Sequence, residues 1–337
     1  MTAEQDDEAA TVVSHLHALT GLRASNWRDL GGGFTTNLAL QVPGQTLVAR
    51  VHPATTCRER VRALQAARQA AAAAGVPAVE PLALLALPDG RQVELEPFVE
   101  APDPMRTPRR LVAGAPVLAR LHDALRTADL PPAAHVVAFS NHVPAPEAVS
   151  VTAAAVERLR AEPAAAPEDF AEELLEHVGQ VAEGEAALLA EQVEHLTYGD
   201  FWDGNVLLSR GEVAAVLDFG FLADRARVDD VALPFWFWLL EPGHGLPSSD
   251  DVDLLVRIAD AYDAGAQQPL SDAERASLPL ALARQPAWAG RQWLADPRPG
   301  AVSAHARKAA AELPVAQHVL AHLGTWQNAL TRARRGP

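Results

Sequence analysis

Three oxygen-bearing side chains in the second half of the chain have the types and spacing that suit metal-assisted chemistry on a phosphate. Asp200 and Asn205 have the spacing Asp-x4-Asn, and Asp218 begins the tripeptide Asp-Phe-Gly. Turn-forming residues at 209–211 and an apolar run from Val213 predict a β-hairpin between the two motifs. Carboxylate and amide oxygens suit Mg²⁺, and a further carboxylate can deprotonate a hydroxyl group. The alternative is a surface hairpin whose Asp, Asn and Gly are only turn formers.

Both motifs resemble the aminoglycoside phosphotransferase superfamily of small-molecule kinases. The resemblance rests on Tyr-Gly-Asp-Phe-Trp-Asp-Gly-Asn-Val-Leu from Tyr198 and on Val-Leu-Asp-Phe-Gly from Val216. Gly199 favours the small-molecule branch, because protein kinases usually write this motif His-Arg-Asp. Tyr198 stands where the superfamily usually has His. The chain has no Ala-Pro-Glu after Asp-Phe-Gly, which also disfavours a protein kinase.

The resemblance implies the roles of the three oxygen-bearing residues. Asp200 would be the catalytic base that orients the acceptor hydroxyl, and Asn205 and Asp218 would hold Mg²⁺ against the phosphates of ATP or GTP. A nucleotide-binding module that does not transfer phosphate is an alternative, and Tyr198 in place of His favours it.

Composition restricts the class of protein. A length of 337 residues predicts about two domains, and 49% hydrophobic residues without a long apolar run indicate no membrane span. The net charge of −15 argues against a nucleic-acid partner. The acidic N-terminus lacks the features of a secretory signal, so a cytoplasmic location is expected. Cys57 is the only cysteine and Lys308 the only lysine, which excludes an internal disulfide and a P-loop.

The N-terminal third contains candidates for nucleotide binding. The resemblance places a phosphate-covering hairpin at the glycine-rich segment, although a plain hairpin turn is the alternative. Arg50, in the β-rich segment Thr46–Val51, takes the place of the kinase strand lysine and would contact the α- and β-phosphates; an exposed strand arginine is the alternative. The residues of the glycine-rich segment are Gly31, Gly32, Gly33, Phe34, Thr35 and Thr36.

A predicted helix from Cys57 to Ala74 has one acidic residue, Glu59. We expect Glu59 to pair with Arg50, although it is equally compatible with a solvated helix face. Strands at 83–87 and 92–96 would complete a small antiparallel sheet. Backbone groups of the following linker, Glu96 to Phe98 and its neighbours, would then bind the adenine edge.

The rest of the chain is predicted to be helical. Helices are expected at 150–161 and 167–194, and the acidic run 162–194 has no Lys or Arg. This run would form an acidic wall for a cationic acceptor, or simply a solvated helix face. Asp229 and Asp230 would open a later helix and brace the catalytic loop, and His122 would be structural.

These expectations combine into an α+β, two-lobed protein-kinase-like fold. Residues 1–100 would form the nucleotide-binding lobe, and residues 101–337 a helical lobe with the catalytic loop and the acceptor site. The predicted activity is transfer of the γ-phosphate of ATP or GTP to a hydroxyl of a small molecule, with Mg²⁺. An aminoglycoside or another cationic antibiotic is the first acceptor class, and a small alcohol such as homoserine, a choline-like compound or a sugar is the alternative.

Overall fold

The structure, a computed structural model, describes residues 3–32, 35–101, 103–137, 140–161, 167, 169–295 and 301–332. Its N-terminal part is a five-stranded antiparallel sheet in the order β1-β2-β3-β5-β4 with two helices. The elements are α1 (Ala3–Thr20), β1 (Asn26–Asp29), β2 (Thr36–Val42), β3 (Gln45–Val51), α2 (Arg58–Ala73), β4 (Ala83–Ala86) and β5 (Gln92–Pro97).

Alternating side chains give the sheet an apolar face. Leu40 is paired with Leu47 across the β2–β3 hairpin, whose turn needs Gly44 at a φ of +83°. Buried residues of β2, β3 and β5 pack against Val12 and Leu16 of α1, and this cluster forms the N-terminal core. The predicted strands are therefore confirmed.

The other helix of this part, α2, contributes buried polar contacts to the sheet. Its buried positions include Val61, Leu64 and Arg68. Gly75, at a φ of +78°, ends the helix, and the Val76 N–H donates to the Ala71 carbonyl at 3.0 Å. The predicted helix is confirmed to within one residue at each end.

The C-terminal part is mainly helical and also contains two small antiparallel sheets, β6-β8-β9 and β10-β7. Its helices are α3 (Pro108–Thr127), α4 (Ala148–Ala161), α5 (Phe170–Ala186), α6 (Arg227–Leu239), α7 (Ser249–Gly265), α8 (Asp272–Ala283), α9 (Pro286–Ala295), α10 (Ala301–Ala321) and α11 (Leu323–Arg332). Its strands are β6 (Asp103–Pro104), β7 (Glu194–Thr197), β8 (Val206–Ser209), β9 (Glu212–Val216) and β10 (Ala223–Ala226).

The two sequence motifs flank the hairpin of β8 and β9 in the C-terminal part. Strands β8 and β9 pair around a turn in which Arg210 and Gly211 have φ of 54° and 86°, so the predicted hairpin is confirmed. The predicted helix at 167–194 was too long. It ends at Ala186, and Glu194–Thr197 instead forms β7, whose partner β10 fixes the start of the catalytic loop.

These parts confirm the predicted α+β, kinase-like fold, with an antiparallel N-terminal sheet and a helical C-terminal part. A boundary at residues 100 and 101 stays a prediction. Within the part of the chain that the structure describes, no helix is long and apolar enough to cross a membrane.

Candidate active site

The catalytic loop leaves β7 through a tight backbone turn at Gly199. This residue has a φ of +79°, and an added Cβ would lie 2.7 Å from the Phe221 carbonyl oxygen. Its N–H donates to Asp230 Oδ2 at 2.9 Å, and the same oxygen lies 3.0 Å from His122 Nε2. Asp230 therefore braces the loop, as predicted, and His122 has a structural role. Asp229 pairs instead with Arg284.

Asp200 lies at the end of this turn and is 5% exposed. The side-chain amide of Asn205 donates to its Oδ2 at 2.5 Å, and the side-chain amide of Asn141 donates to its Oδ1. Burial, followed by the nearby charge of Asp218, raises the pKa of Asp200 well above its usual value. A carboxylate with a raised pKa and fixed orientation is suited to accept a proton from a bound hydroxyl.

Asp218 faces the same space from the end of the hairpin. Its backbone has a φ of +45°, and its carboxylate accepts a hydrogen bond from the Gly220 N–H at 3.0 Å. The Leu217 N–H donates to the Asn205 carbonyl at 2.9 Å, which ties the two motifs directly. Asp200, Asn205 and Asp218 all line one cavity of about 920 Å³.

The donor set of this cavity fits Mg²⁺. Because the Asn205 amide nitrogen is engaged by Asp200, its amide oxygen is left as a ligand beside the Asp218 carboxylate. Among the described residues, no three His, Cys, Asp or Glu side chains form a metal-binding group. Mg²⁺ is commonly held by one or two carboxylates and completed by water and substrate phosphates, so a complete protein cage is not required.

Tyr198, which replaces the usual His, is fully buried and joins the two motifs. Its hydroxyl donates to the carbonyl of Leu217, immediately before Asp218. Its ring packs edge-on against Phe219 and Phe201, with centroid distances of 5.1 and 6.1 Å. The side chain therefore fixes the position of the second motif relative to the catalytic loop.

Arg50 reaches the site from β3. Its Nη1 lies 2.7 Å from Asp218 Oδ2, and its Nε lies 3.4 Å from Glu96 Oε1. Burial by itself lowers the pKa of this guanidinium, but the carboxylates of Asp218 and Glu96 raise it overall. Arg50 is therefore a permanent cation in the cavity that Asp218 lines.

The expected pair between Glu59 and Arg50 does not form. Glu59 is exposed on α2 and does not line the cavity, because the face of the helix that meets the sheet presents Arg68 instead. Arg68 Nη1 lies 2.6 Å from Glu96 Oε1. The acidic partner of Arg50 thus comes from β5, and the helix supplies a second cation that holds this acid.

A second buried carboxylate continues the network. Glu94 is 0% exposed and contacts Arg68 Nη2 at 2.5 Å and His52 Nε2 at 2.8 Å. Burial raises the pKa of Glu94, but the hydrogen bond from His52 and the charge of Arg68 outweigh this effect and lower the pKa to about 2. Buried charges of this kind persist in proteins only when they are paired.

The glycine-rich segment borders the same cavity. Gly31, Gly32 and Thr35 line it, while Thr36 begins β2 and is not part of the lining; Gly33 and Phe34 lie outside the described residues. Gly32 has a φ of +149°, and an added Cβ would lie 2.3 Å from the Thr35 carbonyl oxygen. Only glycine fits this backbone path.

The linker after β5 forms another border of the cavity. The Phe98 N–H, one of the expected adenine contacts, donates instead to the Thr46 carbonyl at 3.2 Å and so continues the sheet. Glu96 uses its side chain on Arg50 and Arg68, as described above. The next residue along the linker after Phe98, Val99, lines the cavity.

Further lining residues come from the catalytic loop and from other parts of the chain, and none of them was predicted from the sequence as a site residue. They include Asn141, Trp202, Phe237, Trp288 and Lys308. Asn141 follows a proline-containing region with no motif, so nothing in the sequence indicated its contact with Asp200. The acidic run at 162–194 contributes no described residue to this lining.

An antiparallel sheet and a mainly helical part, with Asp200, Asn205, Asp218 and Arg50 lining one cavity, are typical of a kinase-like phosphotransferase. A model of the phosphotransferase enzyme family (APH) matches residues 26–271, and the chain belongs to this family. It is a small-molecule kinase with a hydroxyl group as acceptor.

Several known kinases are similar to this chain in sequence or in structure. A homoserine kinase of Phenylobacterium zucineum (strain HLK1) is 31% identical over 119 residues, so the match spans about a third of each protein: 33% of this chain and 34% of the relative. The amicoumacin kinase hAmiN, solved with AMP-PNP, Ca²⁺ and Ami, has a TM-score of 0.61 at 13% identity, covering 94% of each chain. A microcompartment-associated aminopropanol kinase has a TM-score of 0.62 at 16% identity, covering 93% of this chain and 98% of that one.

Proposed function

We propose that this protein transfers the γ-phosphate of ATP to a hydroxyl group of a small molecule in a Mg²⁺-dependent reaction. The observation that carries the proposal is the convergence of Asp200, Asn205 and Asp218 on one cavity that Arg50 also enters. A non-catalytic nucleotide-binding module has no need of an oriented base. GTP is an alternative donor, and the cytoplasm, where nucleoside triphosphates are abundant, is the proposed compartment.

The nucleotide would lie between the N-terminal sheet and the hairpin of β8 and β9. Gly31, Gly32 and Thr35 lie along the phosphate side, and Pro97 to Val99 lie along the base side. Arg50 would contact phosphate oxygens and remain oriented by Glu96. Mg²⁺ held by Asn205 and Asp218 would neutralise phosphate charge and hold the phosphates in line with the acceptor.

Asp200 would act on the acceptor. Its carboxylate, fixed by Asn141 and Asn205, would accept a hydrogen bond from the acceptor hydroxyl and take its proton. A bond forms between the acceptor oxygen and the γ-phosphorus while the bond from that phosphorus to the β–γ bridging oxygen breaks. The products are the phosphorylated acceptor and ADP.

The acceptor class is the finer part of the proposal. An aminoglycoside or another cationic antibiotic was expected from an acidic wall, but no described residue of the acidic run lines the cavity. Phosphorylation of a small metabolic alcohol gains support from the stretch shared with a homoserine kinase. Both classes therefore belong in one acceptor panel.

The direct test is ADP release measured with ATP or GTP, with and without Mg²⁺, across hydroxy acids, amino alcohols, sugars and aminoglycosides. The product is identified by ³¹P NMR as a phosphate ester. Acceptor-dependent ADP release that requires Mg²⁺ supports the proposal. Mg²⁺-dependent nucleotide binding without turnover of any acceptor would favour the non-catalytic module.

A further inference from the structure

A set of aromatic rings and one cation lines part of the cavity that contains Asp200. We call it the acceptor wall and define it by Trp202, Phe237, Trp288 and Lys308. These residues come from the catalytic loop, α6, α9 and α10, and all of them line the cavity that contains Asp200. Any acceptor chemistry assigned to this wall rests on the proposed function.

Hydrogen bonds connect this wall to the catalytic carboxylate. Asn141 donates to Asp200, and the preceding carbonyl, that of Ser140, accepts a 2.5 Å hydrogen bond from Trp288 Nε1. The ammonium of Lys308 lies 4.4 Å from the centroid of the Trp288 ring. These consecutive contacts connect Lys308 to Asp200.

The aromatic members leave surface available to a ligand. Trp202, two residues after Asp200, stacks at a tilt on Phe237 with a centroid distance of 4.8 Å, and both rings are half-buried. Trp288 is also half-buried. Exposed aromatic faces beside a reactive group favour stacking against a planar or apolar body.

Lys308 retains capacity to bind an anion. Its side chain is 43% exposed, and its ion pair with Glu312 is loose, at 3.8 Å. Burial raises the pKa of Glu312 to about 7, so this partner is only partly charged at neutral pH. An ammonium has three N–H donors, and its described partners, the Trp288 ring and one distant, partly neutral carboxylate, leave donors for a ligand.

The other charged groups of the lining do not offset this cation. Its carboxylates are Glu96, Glu100, Asp200 and Asp218. Glu96 is paired with arginines, Glu100 lies in the linker at the base side, and the two aspartates belong to the proposed base and metal site. Within the described lining, the acceptor wall therefore presents a cation and no further carboxylate to bind an amine.

We infer that the natural acceptor is a hydroxy acid: a small molecule with a hydroxyl group, a carboxylate that Lys308 binds, and a planar or apolar body that stacks on Trp202, Phe237 and Trp288. The hydroxyl would face Asp200, and the carboxylate would face α10. A polycationic acceptor meets repulsion from Lys308 and gains no matching carboxylate from this wall.

The test uses matched acceptors and matched variants of the full chain. Each hydroxy acid, with an aryl or an alkyl body, is compared with its primary amide and with the corresponding amino alcohol. Acceptor-dependent ADP release and quenching of tryptophan fluorescence in the presence of AMP-PNP and Mg²⁺ are measured. The variants are Lys308→Met, Lys308→Arg and Trp202→Ala, and Arg307→Met removes an exposed charge outside the lining as a control.

We expect hydroxy acids to have lower KM values than their amides. Lys308→Met should raise KM for hydroxy acids about tenfold and leave the amides nearly unchanged, because only the carboxylate offers a charge for the ammonium to bind. Lys308→Arg should retain most of the preference, Trp202→Ala should weaken the preference for aryl bodies, and Arg307→Met should behave as wild type.

Turnover of amides or amino alcohols with equal or lower KM values would overturn this inference while supporting the proposed function, and so would a preference that Lys308→Met leaves unchanged. Hydroxy-acid binding that Lys308→Met abolishes, without turnover, would support the assignment of the wall and contradict the phosphotransferase activity. Failure of every compound both to bind and to be phosphorylated would overturn both.

Discussion

Arg50 on β3 and Asp218 at the end of β9 form a direct ion pair, with Nη1 and Oδ2 2.7 Å apart. The pair joins the N-terminal sheet to the second motif of the C-terminal part. The proposed phosphate-binding cation and one of the proposed Mg²⁺ ligands are thus in direct contact. Binding of a metal nucleotide would replace this pair by contacts of each partner with the ligand.

The first prediction concerns the cation itself. Arg50→Met should raise KM for ATP by about 10- to 100-fold, because a hydrogen bond to a charged group contributes about 1.5 to 3 kcal/mol to binding. Steady-state kinetics with varied ATP gives the value. Arg62→Met, which removes an exposed arginine of α2, is the control. Equal KM values for the two variants would contradict the role of Arg50.

The second prediction distinguishes two glutamates. Glu96→Gln should lower kcat/KM for ATP about tenfold, because Arg50 loses its orienting charge and Arg68 loses a partner. Glu59→Gln should change it less than about twofold, since an exposed helix charge contributes little. A larger loss of kcat/KM for Glu59→Gln than for Glu96→Gln would instead support the Glu59–Arg50 pair that the sequence predicted.

The contrast between these glutamates shows what the sequence could and could not determine. The catalytic motifs are local: Asp200, Asn205 and Asp218 are set by one hairpin, so their spacing alone predicted their convergence on one cavity. The partner of Arg50 depends on which face of α2 meets the sheet. A lone acid at position 59 looked distinctive, but the buried face presents Arg68.

The acceptor end was still less predictable. Asn141 and Trp288 come together only through the packing of separate helices and loops, and no periodicity in the sequence encodes such a meeting. In the sequence, the acidic run 162–194 is distinguished by its charge pattern. In the described part of the run, however, Glu185 is buried in a pair with Arg284 and Glu172 pairs at the surface with Arg160. These two acids pair with arginines, and no described residue of the run lines the cavity.

The third prediction concerns the departure from the usual His. Tyr198→Phe removes the hydroxyl that binds the Leu217 carbonyl, so it should lower kcat several-fold and the free energy of unfolding by about 1 kcal/mol. KM for ATP should change less. Ser277→Ala removes a buried hydroxyl that donates to the Ala273 carbonyl within α8, and is the control. An equal loss of kcat in both variants would argue that only general stability is affected.

The fourth prediction is a pH dependence of stability. Because the pKa of Glu94 is lowered from 4.5 to about 2, its ionised form stabilises the fold above pH 4.5. This contribution, on the order of 3 kcal/mol at neutral pH, is lost as the pH falls from about 4.5 toward 2.

The measurement is urea unfolding between pH 3 and pH 7, with Glu94→Gln compared with wild type. The variant leaves Arg68 with one buried partner fewer, so it should be less stable than wild type at pH 7. The difference should shrink at pH 3. A constant difference across this range would show that Glu94 does not titrate as the geometry requires.

The central claim is that Asp200 is the base of a phosphotransfer reaction, and one comparison tests it most directly. Asp200→Asn preserves the shape of the side chain but cannot take a proton, whereas Asp224→Asn changes an exposed aspartate of β10. Mg²⁺-dependent phosphorylation of the best acceptor is measured for both variants, together with nucleotide binding. We expect Asp200→Asn to bind the Mg²⁺ nucleotide but to lose kcat by at least about 100-fold, and we expect Asp224→Asn to match wild type. Retention of wild-type kcat by Asp200→Asn would contradict this claim.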